Sequence, residues 1–134
     1  MNYTIRVLLL LLLVAIQILM DNKINKCKNI YGKYLLIFHH FISIYNYFGS
    51  ILLGHHLIHL IIIICAGIVF LIDNKCPITK WHNELCNFDE IFLFNTYVNI
   101  IFGNKYAKKI HVTLILLVIL YDLYYVNKQY KFIK

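Results

Sequence analysis

The sequence predicts an all-α fold: an integral membrane helical bundle of about four spans, with a short interfacial helix before the last span. Three observations predict it. Apolar residues make up 61% of the 134-residue chain and charged residues only 14%, against about 45–50% and about 25% in soluble domains. The apolar residues form continuous runs instead of alternating with polar ones, which favours helices over barrel strands. The twelve lysines and the single arginine lie mostly outside those runs, as they do at membrane flanks. A mean hydropathy of +0.71 excludes a disordered chain. The lysine pattern also argues against nucleic acid as a partner, since no basic patch stands apart from an apolar run. Ile, Asn, Lys, Tyr and Phe supply 68 of 134 residues. All are AT-rich-codon residues, so a single Asn or Lys says less here than one of the seven histidines.

The first span is expected at about 5–22. Its apolar run, Val7 to Met20, follows Arg6 and is followed by Asp21, Lys23, Lys26 and Lys28. Fourteen residues reach about 21 Å, short of the about 30 Å hydrocarbon core. The run therefore reads either as the apolar part of a signal peptide or as an anchor. No small-x-small cleavage site follows it, and the anchor is preferred. The second span, about 34–53, is interrupted by His39, His40, Ser43, Asn46 and Ser50. Gly54 and His55 allow a tight turn into the third span, about 56–72, which is almost purely aliphatic until Asp73-Asn74-Lys75. These two runs predict a helical hairpin.

An interfacial segment is expected over about 79–103, where Ile91 to Phe102 is apolar but too short to cross. The last span, about 110–126, carries Thr113 and Asp122 and ends among Tyr121, Tyr124 and Tyr125, residues suited to the aromatic belt. No repeat or boundary divides the chain, so residues 1–134 read as one membrane domain. With four spans, one face holds Lys23, Lys26, Lys28, Lys33, Lys75, Lys80, Lys105, Lys108 and Lys109, and the other holds Arg6, Lys128, Lys131 and Lys134. Nine against four places both termini on the non-cytoplasmic side.

The most distinctive stretch is Cys76-Pro77-Ile78-Thr79, followed by Asn83 and Leu85. Pro77 pushes Cys76 to an extended conformation and stops the third helix. Thr79 is expected to cap the next helix, with His82 where a capping box wants Glu. His39 precedes Gly49 by ten residues, and His59 precedes Cys76 by seventeen. In these residues, over roughly Tyr34 to Val126, the chain resembles a family of small, mostly bacterial multi-pass membrane proteins of unknown function with a Cys-Pro-Leu-Thr motif. It is also similar to small membrane proteins of large DNA viruses, for which a host or virion membrane would be implied. The chain departs from the family pattern at His82, where the family has Glu, and near Phe70, where an acidic residue is expected. The resemblance brings no activity with it.

The histidines invite a cofactor or metal reading. His39, His40 and His59 are the candidates for a haem or other cofactor, but His40 and His59 sit at depths about 13 Å apart along the membrane normal. His39, His40, Cys76, His82 and His111 share one face and are the candidate metal ligands. Cys27, Cys76 and Cys86 lie on that same face. A Cys76–Cys86 disulfide would have to span a helix, whereas Cys27 pairs more easily with either, and the compartment decides whether any pair is oxidised. His39, Ser43, Asn46 and Ser50 share one helical face that lines a pore or packs against neighbours, with Asn46 expected near Ala66 and Gly67 of the third span.

The expected role is structural or interactive rather than catalytic, with no cofactor indicated. Its partners are the lipid bilayer and a second copy or another membrane protein. A metal- or haem-binding redox protein is the first alternative and a viroporin-like oligomeric channel the second.

Overall fold

The computed structural model describes residues 2–24, 26–73, 76–88 and 104–130. It is helical throughout: α1 (Tyr3–Ile24), α2 (Ile30–Leu53), α3 (His56–Asp73), α4 (Pro77–Cys86) and α5 (Asn104–Tyr130). Four of these helices, all but α4, are long and apolar enough to cross a membrane. The 22 residues of α1 rise about 33 Å, enough for the hydrocarbon core. The first helix is longer than its apolar run because Asp21 stays inside it, fully buried. The part of the interfacial segment over residues 89–103 lies outside the described residues.

Local chemistry sets the ends of the helices. The Asn29 side chain accepts from the backbone N–H of Tyr31 at 2.9 Å and of Gly32 at 3.3 Å, which caps α2. At the other end Gly54 takes φ 76°, a left-handed conformation that glycine adopts without penalty, and its N–H donates to Ser50 O. Only Gly54 and His55 separate α2 from α3, so the hairpin is as tight as the sequence implies.

The start of α4 corrects one expectation. Thr79 is not the N-cap. Cys76 is, with extended φ −71° and ψ 128°, and Pro77 occupies the first helical turn. Proline is preorganised for that position, where its missing N–H costs nothing. Thr79 and His82 are instead buried within the helix.

Helix α1 packs on α2 around Leu10, Val14 and Ile44, and α3 packs chiefly on α5. Helix α4 lies against the first turns of α2. Most of the remaining apolar surface is exposed, as expected when lipid is the solvent. Between helices in lipid the hydrophobic effect offers little, so close packing and polar ties must hold the bundle.

Candidate functional site

Polar side chains gather at two levels of the bundle. Toward the turn between α2 and α3, Asp122 of α5 is fully buried and meets two histidines of α3. Its Oδ2 lies 2.5 Å from His59 Nδ1 and its Oδ1 lies 3.2 Å from His56 Nδ1. His59 Nε2 lies 2.9 Å from the Tyr45 carbonyl of α2. Both ring nitrogens of His59 thus face oxygen acceptors. The His56 ring stacks on Tyr125, centroids 4.5 Å apart. Gly49 packs directly on the Tyr45 ring, where a Cβ would sit 2.7 Å from it, and that ring also contacts His59.

Toward the opposite face, His40 Nε2 lies 2.6 Å from Asp21 Oδ2, and both side chains are wholly buried. This contact ties α1 to α2. His39, one residue earlier, turns elsewhere: its Nδ1 lies 3.7 Å from Cys76 Sγ and its Nε2 3.3 Å from Ser43 Oγ. His111 of α5 hydrogen-bonds Tyr47 of α2. The five histidine and cysteine side chains proposed from sequence as metal ligands therefore go to different partners. His39 and Cys76 meet, His40 is taken by Asp21, His111 by Tyr47, and His82 points to Cys86. Among the described residues, three ligand atoms within 4.8 Å of one another occur at Cys27, His82 and Cys86.

Cys27 and Cys86 form a disulfide, with Cα atoms 5.1 Å apart, so the loop before α2 is bound to the end of α4. Cys76 and Cys65 are free thiols. Gly32 makes the close approach possible: a Cβ there would lie 2.7 Å from Cys27 Sγ and collide with Cys86 Sγ. His82 lies beside this bond, its Nε2 3.5 Å from Cys86 Sγ and its Nδ1 3.4 Å from Asn83 Oδ1. Burial pushes the His82 imidazole below its ordinary pKa; the contact with Asn83 and the Asp21 carboxylate oppose that fall.

A cavity of about 490 Å³ opens between α2, α3 and α5 beneath the first turns of α4, within the about 300–1,000 Å³ range of small-molecule sites. Its walls are mainly apolar. His39, Ser43, Asn46, Tyr47, Cys76, Thr79 and His111 are among its polar lining residues, and among the described residues no carboxylate, lysine or arginine lines it. Asn46 and Ala66 both line this space, whereas Gly67 makes no close approach: among the described residues nothing lies within 4 Å of its Cβ position. The Asn46 Oδ1 is buried without a hydrogen-bond partner among the described residues. Ser50, on the same helical face, does not line the cavity and is packed in the protein. Of the motif residues, Pro77 and Thr79 line the cavity, Asn83 meets His82, and Leu85 flanks Gly32.

Sequence reasoning missed Asp21 and Asp122 as partners of the histidines. The available signal was an acidic residue inside or at the edge of an apolar run, which in a membrane calls for a partner. Comparison with protein-family models, curated proteins and solved structures finds no match for this chain.

Proposed function

We propose that the protein is a non-enzymatic multi-pass membrane protein with a structural or interaction role. The observation that carries this reading is how the ionisable residues of the spans are used. Asp21–His40 ties α1 to α2, and Asp122 with His56 and His59 ties α5 to α3. These groups hold helices together, where a haem or redox centre would need them directed at one shared point. The apolar outer faces then contact lipid, a second copy or another membrane protein. The lysine distribution supports placing the face with Cys27 and α4 in the cytoplasm and both termini across the membrane. The preferred anchor role of α1 gains support from its contact with His40. Membership of the family that the Cys-Pro-Ile-Thr motif resembles is supported by the contact of His39 with Cys76 and by Gly49 and His59 both packing on the Tyr45 ring.

Photo-crosslinking residues placed one at a time at the exposed Leu8, Ile61 and Leu116 test the role in native membranes. A discrete protein adduct at one face, absent from the others, is expected. Lipid adducts alone at every position would overturn the interaction role.

The cavity favours a second reading, binding of a neutral amphiphile. Apolar walls suit a hydrocarbon body, and the unpartnered Asn46 amide oxygen suits a hydroxyl head. Saturable displacement of a neutral fluorescent lipid from purified protein, lost in Ala66→Phe, tests it. Retention of binding in that variant would exclude the cavity as the site.

A further inference from the structure

We propose that Cys27, His82 and Cys86, with the disulfide reduced, form a site for one thiophilic divalent cation of the zinc class. The geometry is that of ligands already gathered. His82 and Cys86 are one helical turn apart on α4, so they project from one face. Cys27 comes from the loop before α2, and the three ligand atoms lie within 4.8 Å of one another. Zinc bonds of about 2.3 Å to sulfur and about 2.0–2.1 Å to nitrogen put tetrahedral donors about 3.4–3.8 Å apart. His82 Nε2 and Cys86 Sγ are already 3.5 Å apart. Reduction lets the two sulfurs separate to the same spacing.

The surroundings of His82 point the same way. With Nδ1 protonated and donating to the Asn83 side-chain oxygen, the Nε2 lone pair is left facing the sulfurs. An imidazole oriented through its other nitrogen by a carbonyl is the arrangement found around metal-binding histidines. His82 is fully buried, and the neutral imidazole is the form that binds metal. Two thiolates, one neutral imidazole and one divalent cation sum to zero charge, which suits a buried position. Gly32 leaves the sulfurs their space, since any side chain there would strike them.

The compartment gives the site its reason, and this step rests on the topology proposed above. If the lysine-rich face is cytoplasmic, the cysteines meet a reducing pool in which structural disulfides are rare. A dithiol reductant then gives two electrons and two protons to the Cys27–Cys86 bond and becomes a disulfide itself. Cation binding displaces the two thiol protons to solvent. The fourth coordination position is left to water or an added ligand. Oxidised, the two cysteines form a disulfide; reduced, they hold the cation together with His82. Both states fasten α4 to the start of α2.

Full-length protein in detergent, reduced with a phosphine and stripped by a chelator, is titrated with Co²⁺. One equivalent is expected to bind with a thiolate-to-cobalt charge-transfer band and to be displaced by Zn²⁺. Cys86→Ser and His82→Ala should each weaken binding by at least about tenfold to a hundredfold, with helical circular dichroism retained. Cys27→Ser provides an independent third variant, and Cys65→Ser should bind as the native chain does. Absence of the charge-transfer band from reduced, helical protein would overturn the site. So would binding that survives Cys86→Ser, or loss of helicity on reduction that zinc does not restore. Alkylation of Cys27 and Cys86 in intact cells tests the topology separately: a disulfide there removes the cytoplasmic placement while leaving the titration result standing.

Discussion

Replacing Asp122 should separate a carboxylate tie from ordinary helix packing. The carboxylate is fully buried and meets His59 at 2.5 Å and His56 at 3.2 Å. Asp122→Leu removes the carboxylate that both rings meet and leaves the buried His59 Nδ1 against an aliphatic side chain. Breaking a buried pair by deleting one partner costs about 3–5 kcal/mol. A neutral interhelical hydrogen bond in a membrane averages only about 0.6 kcal/mol and reaches about 1.7. The difference decides which description applies. Asp122→Asn keeps one acceptor oxygen and the side-chain shape, so its cost should fall near about 1–3 kcal/mol, the range for losing charge-assisted hydrogen bonds. Against a total stability of about 5–15 kcal/mol, the leucine variant should show a clear shift. Reversible unfolding in mixed micelles, followed by near-ultraviolet circular dichroism of the tyrosines, measures both variants. A double-mutant cycle with His59→Leu should give a coupling of about 1–3 kcal/mol. A cost for Asp122→Leu at or below about 0.6 kcal/mol, the average for a neutral bond, would refute the tie.

Gly32→Ala should place a methyl group against the Cys27–Cys86 sulfurs; in air-oxidised, denatured protein a free-thiol assay should rise from two thiols toward four. The burial-lowered pKa of His82 means that the unfolded chain binds more protons than the folded one just below the ordinary histidine value. Stability should therefore fall as pH drops through about 6.5 and stop falling below the lowered folded value. His82→Gln should flatten that slope in unfolding midpoints taken between pH 7.5 and 5, and an unchanged slope would remove His82 as its source. Asn46→Leu removes a buried amide oxygen without a partner and should be neutral or up to about 1 kcal/mol stabilising, measured by the same unfolding assay. A large destabilisation would show that the amide has a structural partner. Fluorescent-lipid displacement on that variant should weaken if the cavity holds an amphiphile.

Much of the architecture was legible because lipid leaves so few choices. A continuous apolar run must satisfy its backbone internally, and length then separates spanning from non-spanning runs. The tight α2–α3 hairpin was legible for a local reason, the Gly54 turn. Other features depend on how the helices rotate about their axes and pair. His40 meets Asp21, and His59 meets Asp122 across 63 residues; neither periodicity nor spacing ranks those partners above others at similar depth. The reading of Thr79 as a cap failed because Cys76-Pro77 offers an earlier start that proline favours by its fixed φ. The shared-face argument for His39, His40, Cys76, His82 and His111 placed them near one membrane surface. It did not determine direction: adjacent residues His39 and His40 turn toward different helices.

The four-span arrangement supports every site described here, and glycosylation mapping tests it most directly. One acceptor cassette is inserted at the Gly54–His55 turn, and another directly after Asn87, beyond the end of α4. Expressed separately in microsomes, the two chains should differ, with one cassette glycosylated and the other untouched. That result places the α2–α3 turn across the membrane from Cys27, His82 and Cys86. Modification of both cassettes would contradict the arrangement, because it would put the two ends of α3 on the same side.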